Sequence, residues 1–179
     1  MTDSSPTSSP TELLSTAVGT WTLDPSATTI ELHTKAMWGL AKVTGHFTAV
    51  EGSATVGSDS SVSGTLVIDA ASVNTGTAKR DEHLRTKDFF EVDTYPTFVY
   101  AVSAVKPAAD DTLAVSGTFT VHGQTRPLEL IATATLSEPN RATVTASAEI
   151  DRTQWGLTWT KMGARVINHV IVTAVFAKR

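Results

Sequence analysis

The stretch TVTASAEI, residues 143–150, decides the fold because polar and apolar side chains alternate along its whole length. Val144, Ala146, Ala148 and Ile150 share one face, and the residues between them are polar. Such alternation is typical of a β-strand with one face on a core and the other in water. Similar patterns, rich in Val, Thr and Ile, predict strands near residues 20–23, 28–36, 42–56, 62–73, 97–106, 112–122, 125–137, 141–151 and 166–178.

The connections between these strands determine how they pair. Most are turns rich in Gly, Pro, Asn and Asp, and no crossover helices alternate with the strands, so the sheet is predicted to be antiparallel. A sheet of many long strands tends to curl, and closure removes the exposed edges. The predicted fold is therefore an all-β, extended antiparallel barrel of about eight strands. A β-sandwich is the competing architecture, which the pattern alone does not exclude.

Bulk composition narrows the function classes. Hydrophobic residues make up 41% and charged residues 18% of the 179 residues, enough for a filled core. The net charge of −4 disfavours nucleic-acid binding. The absence of cysteine excludes disulfides, thiolate metal sites and a Cys nucleophile. The histidines lack metal-binding spacing, so no metal site is expected; they are His33, His46, His83, His122 and His169.

Residues 1–18 differ from the rest of the chain. They are rich in Ser, Thr and Pro and show no apolar periodicity, which predicts a disordered tail before a barrel domain at 19–179. No basic segment precedes an apolar run, so we expect no signal peptide and a cytoplasmic location. No run approaches the roughly 18 apolar residues of a transmembrane helix.

One segment, KRDEHLRTKDFF at 79–90, interrupts the strand pattern with good helix formers. We predict a short helix over residues 80–90 that closes one end of the barrel, with Phe89 and Phe90 pointing inward. It would be a fixed plug or a mobile lid, and the plug is favoured because most such elements are packing devices. The residues expected to anchor it are Arg80, Asp81, His83, Arg85 and Asp88.

Several ordered motifs identify a family resemblance. The run RDEHLRTKDFFEVDTYPTFVY, residues 80–100, resembles the signature of the YceI-like family. Other matching pieces follow in the family's order: WTLDP at 21–25, KVTGHF at 42–47, VIDAASVNTG at 67–76, VSGTFTVHGQTRPLEL at 115–130 and IDRTQWGL at 150–157. The resemblance covers residues 19–179. It implies a lipocalin-like barrel with a hydrophobic tunnel for polyisoprenoids, isoprenoid quinones or fatty-acyl compounds, with no catalytic residue and no required cofactor.

The resemblance and the small inward-facing residues together define the expected ligand site. Polar head-group contacts are not carried over, because Ala27, Ala36 and the segment 163–166 depart from the family pattern. Affinity is therefore expected to depend on chain length more than on the head group. The residues expected to line the tunnel and its mouth are Trp38, Phe47, Leu66, Ile68, Phe89, Phe90, Phe98, Tyr100, Phe119, Ala146, Trp155, Val172, Ala174 and Phe176.

Two alternatives accompany the prediction of a ligand carrier, a scaffold and an enzyme. A scaffold protein without any ligand would explain the same strand pattern. An enzyme using Asp81 or Asp151 is less favoured, because Arg80 and Arg152 beside them would lower the pKa of an acid catalyst. The Trp-rich segment 155–159, together with Trp38, would suit a ligand entrance, a membrane surface or a homodimer interface.

Overall fold

The computed structural model describes residues 8–179 of the chain as a strand-rich barrel with two short helices. Each strand begins and ends within one residue of its predicted bounds. The helices are α1 (Pro10–Thr16) and α2 (Ala78–Arg85), and the strands are β1 (Gly19–Leu23), β2 (Thr29–Ala36), β3 (Ala41–Val56), β4 (Val62–Asn74), β5 (Thr97–Pro107), β6 (Leu113–Val121), β7 (Gln124–Leu136), β8 (Arg141–Asp151) and β9 (Ile167–Lys178).

The sheet closes on itself, and every strand pair in it is antiparallel. Two strands share one position between β3 and β9: β1 pairs with residues 53–56 and 176–178, and β2 pairs with residues 41–47 and 169–173. Nine strands therefore fill eight positions around the barrel. The predicted antiparallel barrel is confirmed, and the open β-sandwich is excluded.

The alternation in β8 has the predicted orientation. Ala146 and Ile150 are buried, whereas Thr145 and Glu149 are exposed. Other inward residues of β8, such as Val144, are only half-buried, because they face a cavity instead of a filled core. The apolar face of this strand therefore forms a wall around empty space.

The N-terminal segment differs from the prediction of a disordered tail over 1–18. Residues 1–7 lie outside the described residues, but α1 forms at 10–16. The Ser9 hydroxyl accepts a hydrogen bond from the Glu12 amide at 3.3 Å, and Pro10 occupies the first turn. Leu14 and Ala17 are buried against the barrel, and the Trp21 indole donates to the Ala17 carbonyl at 2.8 Å. This packing against the barrel stabilises a helix too short to persist alone.

The two ends of the barrel carry different elements. The end near α1 holds the β3–β4, β5–β6 and β7–β8 hairpins. The opposite end, called the mouth here, holds α2, the β6–β7 turn, a 3-10 turn at Met37–Gly39 between β2 and β3, and the long β8–β9 connection. The helix at the mouth is shorter than predicted: it ends at Arg85, because Thr86 adopts an extended conformation, and Phe89 and Phe90 follow in turns.

Candidate ligand-binding cavity

Two adjoining cavities occupy the barrel interior. An inner cavity of about 230 Å³ lies toward α1, and an outer cavity of about 1000 Å³ lies toward the mouth. Ile68, Phe119, Ile150 and Val170 line both, so the two volumes meet at this ring of apolar side chains. The outer volume is at the upper end of the roughly 300–1,000 Å³ range of small-molecule sites.

The inner cavity exists because β7, β8 and β9 contribute small side chains to its wall. Ala132 pairs with Ala146 across β7 and β8, and Ala174 pairs with Val144 across β8 and β9. Leu or Phe at these positions would fill the space that alanine leaves open. Among the described residues, the only ionisable side chain in this wall is Tyr100.

The polar atoms of the interior aromatic side chains are already occupied. The Tyr100 hydroxyl donates to the Leu128 carbonyl at 2.8 Å, and the Trp155 indole donates to the Phe119 carbonyl at 2.8 Å. Burial raises the pKa of Tyr100 to about 12, with a further contribution from the charge of Glu129. The rings therefore face the cavities with their apolar surfaces, while their donors bind the barrel wall.

An aromatic cluster separates the inner cavity from the mouth. The ring of Phe90 lies 5.0 Å from that of Phe98 and 5.9 Å from that of Phe47, both in edge-to-face geometry. Phe119 and Trp155 extend the cluster at 5.8 Å. Edge-to-face contacts of this kind add to the stability gained from burial. The cluster gives the outer cavity an aromatic floor.

Side-chain hydrogen bonds tie α2 to the end of β4. The buried Asp81 carboxylate accepts from the Thr75 amide at 2.9 Å and from the Thr75 hydroxyl at 2.6 Å. Arg80 donates to the same hydroxyl at 2.7 Å, and Arg85 donates to the Val73 carbonyl at 3.1 Å. These contacts favour a fixed plug over a mobile lid.

Two further predicted anchors bind each other next to α2. His83 Nε2 lies 2.8 Å from a carboxylate oxygen of Asp88. The His83 ring also packs edge-on against Phe89 at 5.4 Å and Trp159 at 4.8 Å. The histidine thus links α2 to the β8–β9 connection.

Arg152 is an organising residue of the mouth that the sequence reasoning missed. Its buried guanidinium donates to the carbonyls of Leu157 at 2.6 Å, Trp159 at 2.6 Å and Arg165 at 3.1 Å, and lies 5.5 Å from the centre of the Phe89 ring. Burial lowers the pKa of Arg152. The only sequence signal was its place in the motif IDRTQWGL. One side chain therefore holds most of the β8–β9 connection.

The outer cavity has a basic rim. Lys35, Lys79, Lys161 and Arg165 line it together with the hydrogen-bonded Arg80 and Arg152, and Glu82 is the one carboxylate found there among residues 8–179. Within the same residues, Lys35, Lys79, Lys161 and Arg165 form no salt bridge. A chain with a net charge of −4 thus concentrates positive charge around this opening.

The structure brings most of the predicted ligand-site residues to the cavity walls. Trp38 is the exception: its side chain is 75% exposed and lies outside both walls, because a left-handed backbone (φ 55°) in the Met37–Gly39 turn directs it outward. The inner wall contains Leu66, Tyr100, Ala146, Val172, Ala174 and Phe176, both walls contain Ile68 and Phe119, and the outer wall contains Phe47, Phe89, Phe90, Phe98 and Trp155.

The two carboxylates considered as acid catalysts, those of Asp81 and Asp151, accept hydrogen bonds within the fold. Asp81 is bonded to Thr75, and Asp151 accepts from the Thr153 amide at 3.0 Å and hydroxyl at 2.6 Å; neither carboxylate lines a cavity. No three His, Cys, Asp or Glu side chains within residues 8–179 come together as metal ligands. Neither of the helices in this range has the length and apolarity needed to cross a bilayer.

The sequence of this chain is similar to that of known proteins. The family model described as "YceI-like domain" matches residues 21–177. A UPF0312 protein of Pseudomonas savastanoi pv. phaseolicola is 39% identical over 66 residues, which is 37% of this chain; the match spans 34% of the relative's length. The chain thus matches about a third of the length of such curated relatives.

Solved structures show the same fold at low sequence identity. Burkholderia cenocepacia BcnA matches with a TM-score of 0.74 and 19% identity, over 86% of this chain and 98% of that one. A polyisoprenoid binding domain from Saccharophagus degradans matches with a TM-score of 0.69 and 20% identity, over 89% of this chain and 98% of that one. At these identities the likeness is one of fold.

Proposed function

Because this chain belongs to the YceI-like family, we propose that it binds a long apolar ligand inside the barrel and carries or stores it. The ligand class is a polyisoprenoid, an isoprenoid quinone or a fatty-acyl compound. The observation that carries the proposal is the pair of adjoining cavities, whose inner wall has no charged side chain among the described residues. The structural neighbour described as a polyisoprenoid binding domain supports the same chemical class.

The shape of the interior supports one direction for the proposed ligand. Leu14 and Ala17 of the α1 segment line the inner cavity and close its far end. Among the described residues that line the two cavities, the charged side chains all belong to the outer wall, toward the opposite opening. A ligand with one polar group would therefore place its apolar chain toward α1 and its polar head at the mouth, where water and the basic side chains of the rim are available.

Burial alone supplies enough affinity for a carrier. A ligand of about 30 heavy atoms, gaining ~0.3 kcal/mol per atom, binds with roughly 9 kcal/mol, a sub-micromolar dissociation constant. The inner wall adds little selectivity, since the donors of Tyr100 and Trp155 are bound to main-chain carbonyls. Affinity should therefore increase with chain length more than with the identity of the head group.

The test is a substitution that fills the inner cavity. Ala146→Phe places a ring in the wall, at a buried position that faces the inner volume. The neighbouring Thr145 is exposed on the outer face of β8, so Thr145→Phe adds the same ring without filling the cavity. Melting temperature is measured with prenols, a menaquinone and fatty acids of increasing chain length, since a ligand that binds only the folded state raises it.

For the parent and for Thr145→Phe, we expect the added ligand to raise the melting temperature, and the increase should grow with the length of the ligand's chain. For folded Ala146→Phe, the increase should be much smaller. Native mass spectrometry of the purified protein should also show an apolar ligand in the parent. If no prenol, quinone or acyl chain shifts the melting temperature and organic extracts contain no lipid, the carrier function is refuted and a ligand-free scaffold remains.

A further inference from the structure

Two loops at the mouth expose large apolar side chains. They are the Met37–Gly39 turn with the adjoining Leu40, and the 3-10 turn Lys161–Gly163. The exposed fractions are 51% for Met37, 75% for Trp38, 86% for Leu40 and 71% for Met162. These four side chains form what we call the apolar tip. Scattered exposed apolar residues are ordinary, but a cluster on two adjacent loops indicates a binding surface.

The two loops are packed together, so the tip is one surface. A Cβ atom added at Gly163 would lie 2.9 Å from the Trp38 indole and would collide with the Trp38 backbone. Both loops use left-handed backbone at non-glycine residues, with φ of 49° at Met37, 55° at Trp38 and 58° at Met162. Such conformations are strained and occur preferentially at functional sites. Here they keep apolar side chains in water.

Positive charge surrounds the tip. Lys35, Lys42, Lys161 and Arg165 are exposed and flank the two loops. Residues 34–44 and 158–166 contain these four cations and no Asp or Glu. None of the four forms a salt bridge within the described residues. The tip is therefore an apolar surface with a cationic border, on a chain that is acidic overall.

We propose that the apolar tip docks into the interfacial region of an anionic phospholipid bilayer. Trp side chains favour the level of the lipid head groups, and clustered Lys and Arg are attracted to anionic lipids. Met37, Lys161 and Met162 also line the outer cavity, so docking would place the opening of the barrel against the membrane. An apolar ligand would then move between bilayer and barrel without crossing bulk water.

Docking requires the tip and not the cavity, so it does not depend on whether the barrel holds a ligand. A second copy of this chain is the competing occupant. It is less favoured, since pairing two tips would bring two sets of unpaired cations together.

The test measures co-sedimentation of the intact protein with vesicles of phosphatidylcholine alone or mixed with phosphatidylglycerol. We expect binding to the anionic vesicles that weakens with added salt. The double variant Trp38→Gln/Leu40→Gln should lose about tenfold or more of this affinity. Its matched control is Ile131→Gln, which removes an apolar side chain of 53% exposure from the solvent-facing side of β7.

A second pair of variants tests the charge. Lys161→Glu should weaken binding to anionic vesicles by about fivefold or more, because one Lys near an anionic surface contributes roughly that factor. Lys106→Glu changes the net charge equally, but its side chain lies on β5 near the other end of the barrel, so binding should stay at the parent level. Circular dichroism establishes that all variants are folded.

Trp38 also reports its own position. Trp21 and Trp155 are buried and Trp159 is half-buried, so Trp38 is the most exposed indole of the chain. Anionic vesicles should shift its emission to the blue, brominated lipids should quench it, and Trp38→Phe should remove both effects.

Three results would overturn the proposal. The first is that the parent does not bind anionic vesicles, and the second is that Trp38→Gln/Leu40→Gln binds them as tightly as the parent. The third is that the parent sediments as a dimer, the double variant sediments as a monomer, and neither protein binds vesicles. The cavity variant Ala146→Phe separates the two proposals. It should dock like the parent even if it holds no ligand, so a failed ligand test leaves the docking result intact.

Discussion

The substitution Leu14→Ala tests whether α1 closes the inner end of the barrel. Leu14 is 5% exposed and packs with a cluster that includes Tyr100, Leu113 and Val115. It also lines the inner cavity. If α1 is a structural part of the barrel, removing this side chain should release the helix.

The size of the effect follows from the contacts that Leu14 loses. Its side chain has three more carbon groups than alanine, each contributing about 0.8 kcal/mol when buried, so the transfer cost is roughly 2.4 kcal/mol. The additional cavity cost is small, because the new void merges with an existing one. We therefore expect about 2–3 kcal/mol. A helix of seven residues is marginal by itself, so this loss should appear first as detachment of α1.

Hydrogen exchange of individual amides measures that detachment. The Leu13 amide donates to the Ser9 carbonyl and the Ala17 amide to the Leu13 carbonyl, both at 2.9 Å. A loss of 2–3 kcal/mol corresponds to a decrease of about 30- to 150-fold in their protection. Thr11→Ala is the control, since Thr11 lies on the exposed side of the same helix. Equal protection in the two variants would refute the idea that α1 closes the barrel.

Two further predictions concern polar groups near the cavities. Because the folded pKa of Tyr100 is raised to about 12, the unfolded chain loses this proton first between pH 10 and 12, so the free energy of unfolding should fall across that range. In Tyr100→Phe, urea titrations should show a smaller decrease in the free energy of unfolding over this pH range. An equal decrease in the parent and the variant would contradict the raised pKa of Tyr100. Arg152→Met should cost about 2–4 kcal/mol and open the Lys161 site to trypsin, because three carbonyls lose their donor. Arg126→Met, which removes one exposed bond to a carbonyl, should leave the trypsin pattern unchanged.

The barrel could be predicted from the sequence because its signal is local. Alternation in segments such as 143–150 reports directly which side chains face water, and turn residues mark where each strand ends. The one ambiguity, nine segments for about eight strands, arises because β1 and β2 share a position. That sharing depends on their common partners β3 and β9, which no local pattern shows.

The parts that sequence reasoning missed depend on distant contacts or on backbone conformation. Ser9, Pro10 and Glu12 form a helix start, but their signal is hidden within a Ser/Thr/Pro-rich composition, and the helix depends on packing against the barrel. The outward direction of Trp38 follows from a left-handed turn that the sequence pattern does not reveal. Arg152 looked like a charged neighbour of Asp151, because its carbonyl partners are set by the path of the β8–β9 connection.

The contacts at the mouth also show where the barrel can open with the least disruption. Releasing α2 would break the buried bonds of Asp81 to Thr75 and those of Arg85 to β4. The Met37–Gly39 turn contains left-handed backbone at Met37 and Trp38. At its base, the Arg165 amide donates a main-chain hydrogen bond to the Lys35 carbonyl at 3.0 Å, which links the turn to the β8–β9 connection. The turn also carries the exposed apolar side chains, so it is the segment proposed to meet the bilayer. Opening the barrel at this turn would therefore break fewer buried side-chain hydrogen bonds than opening it at α2.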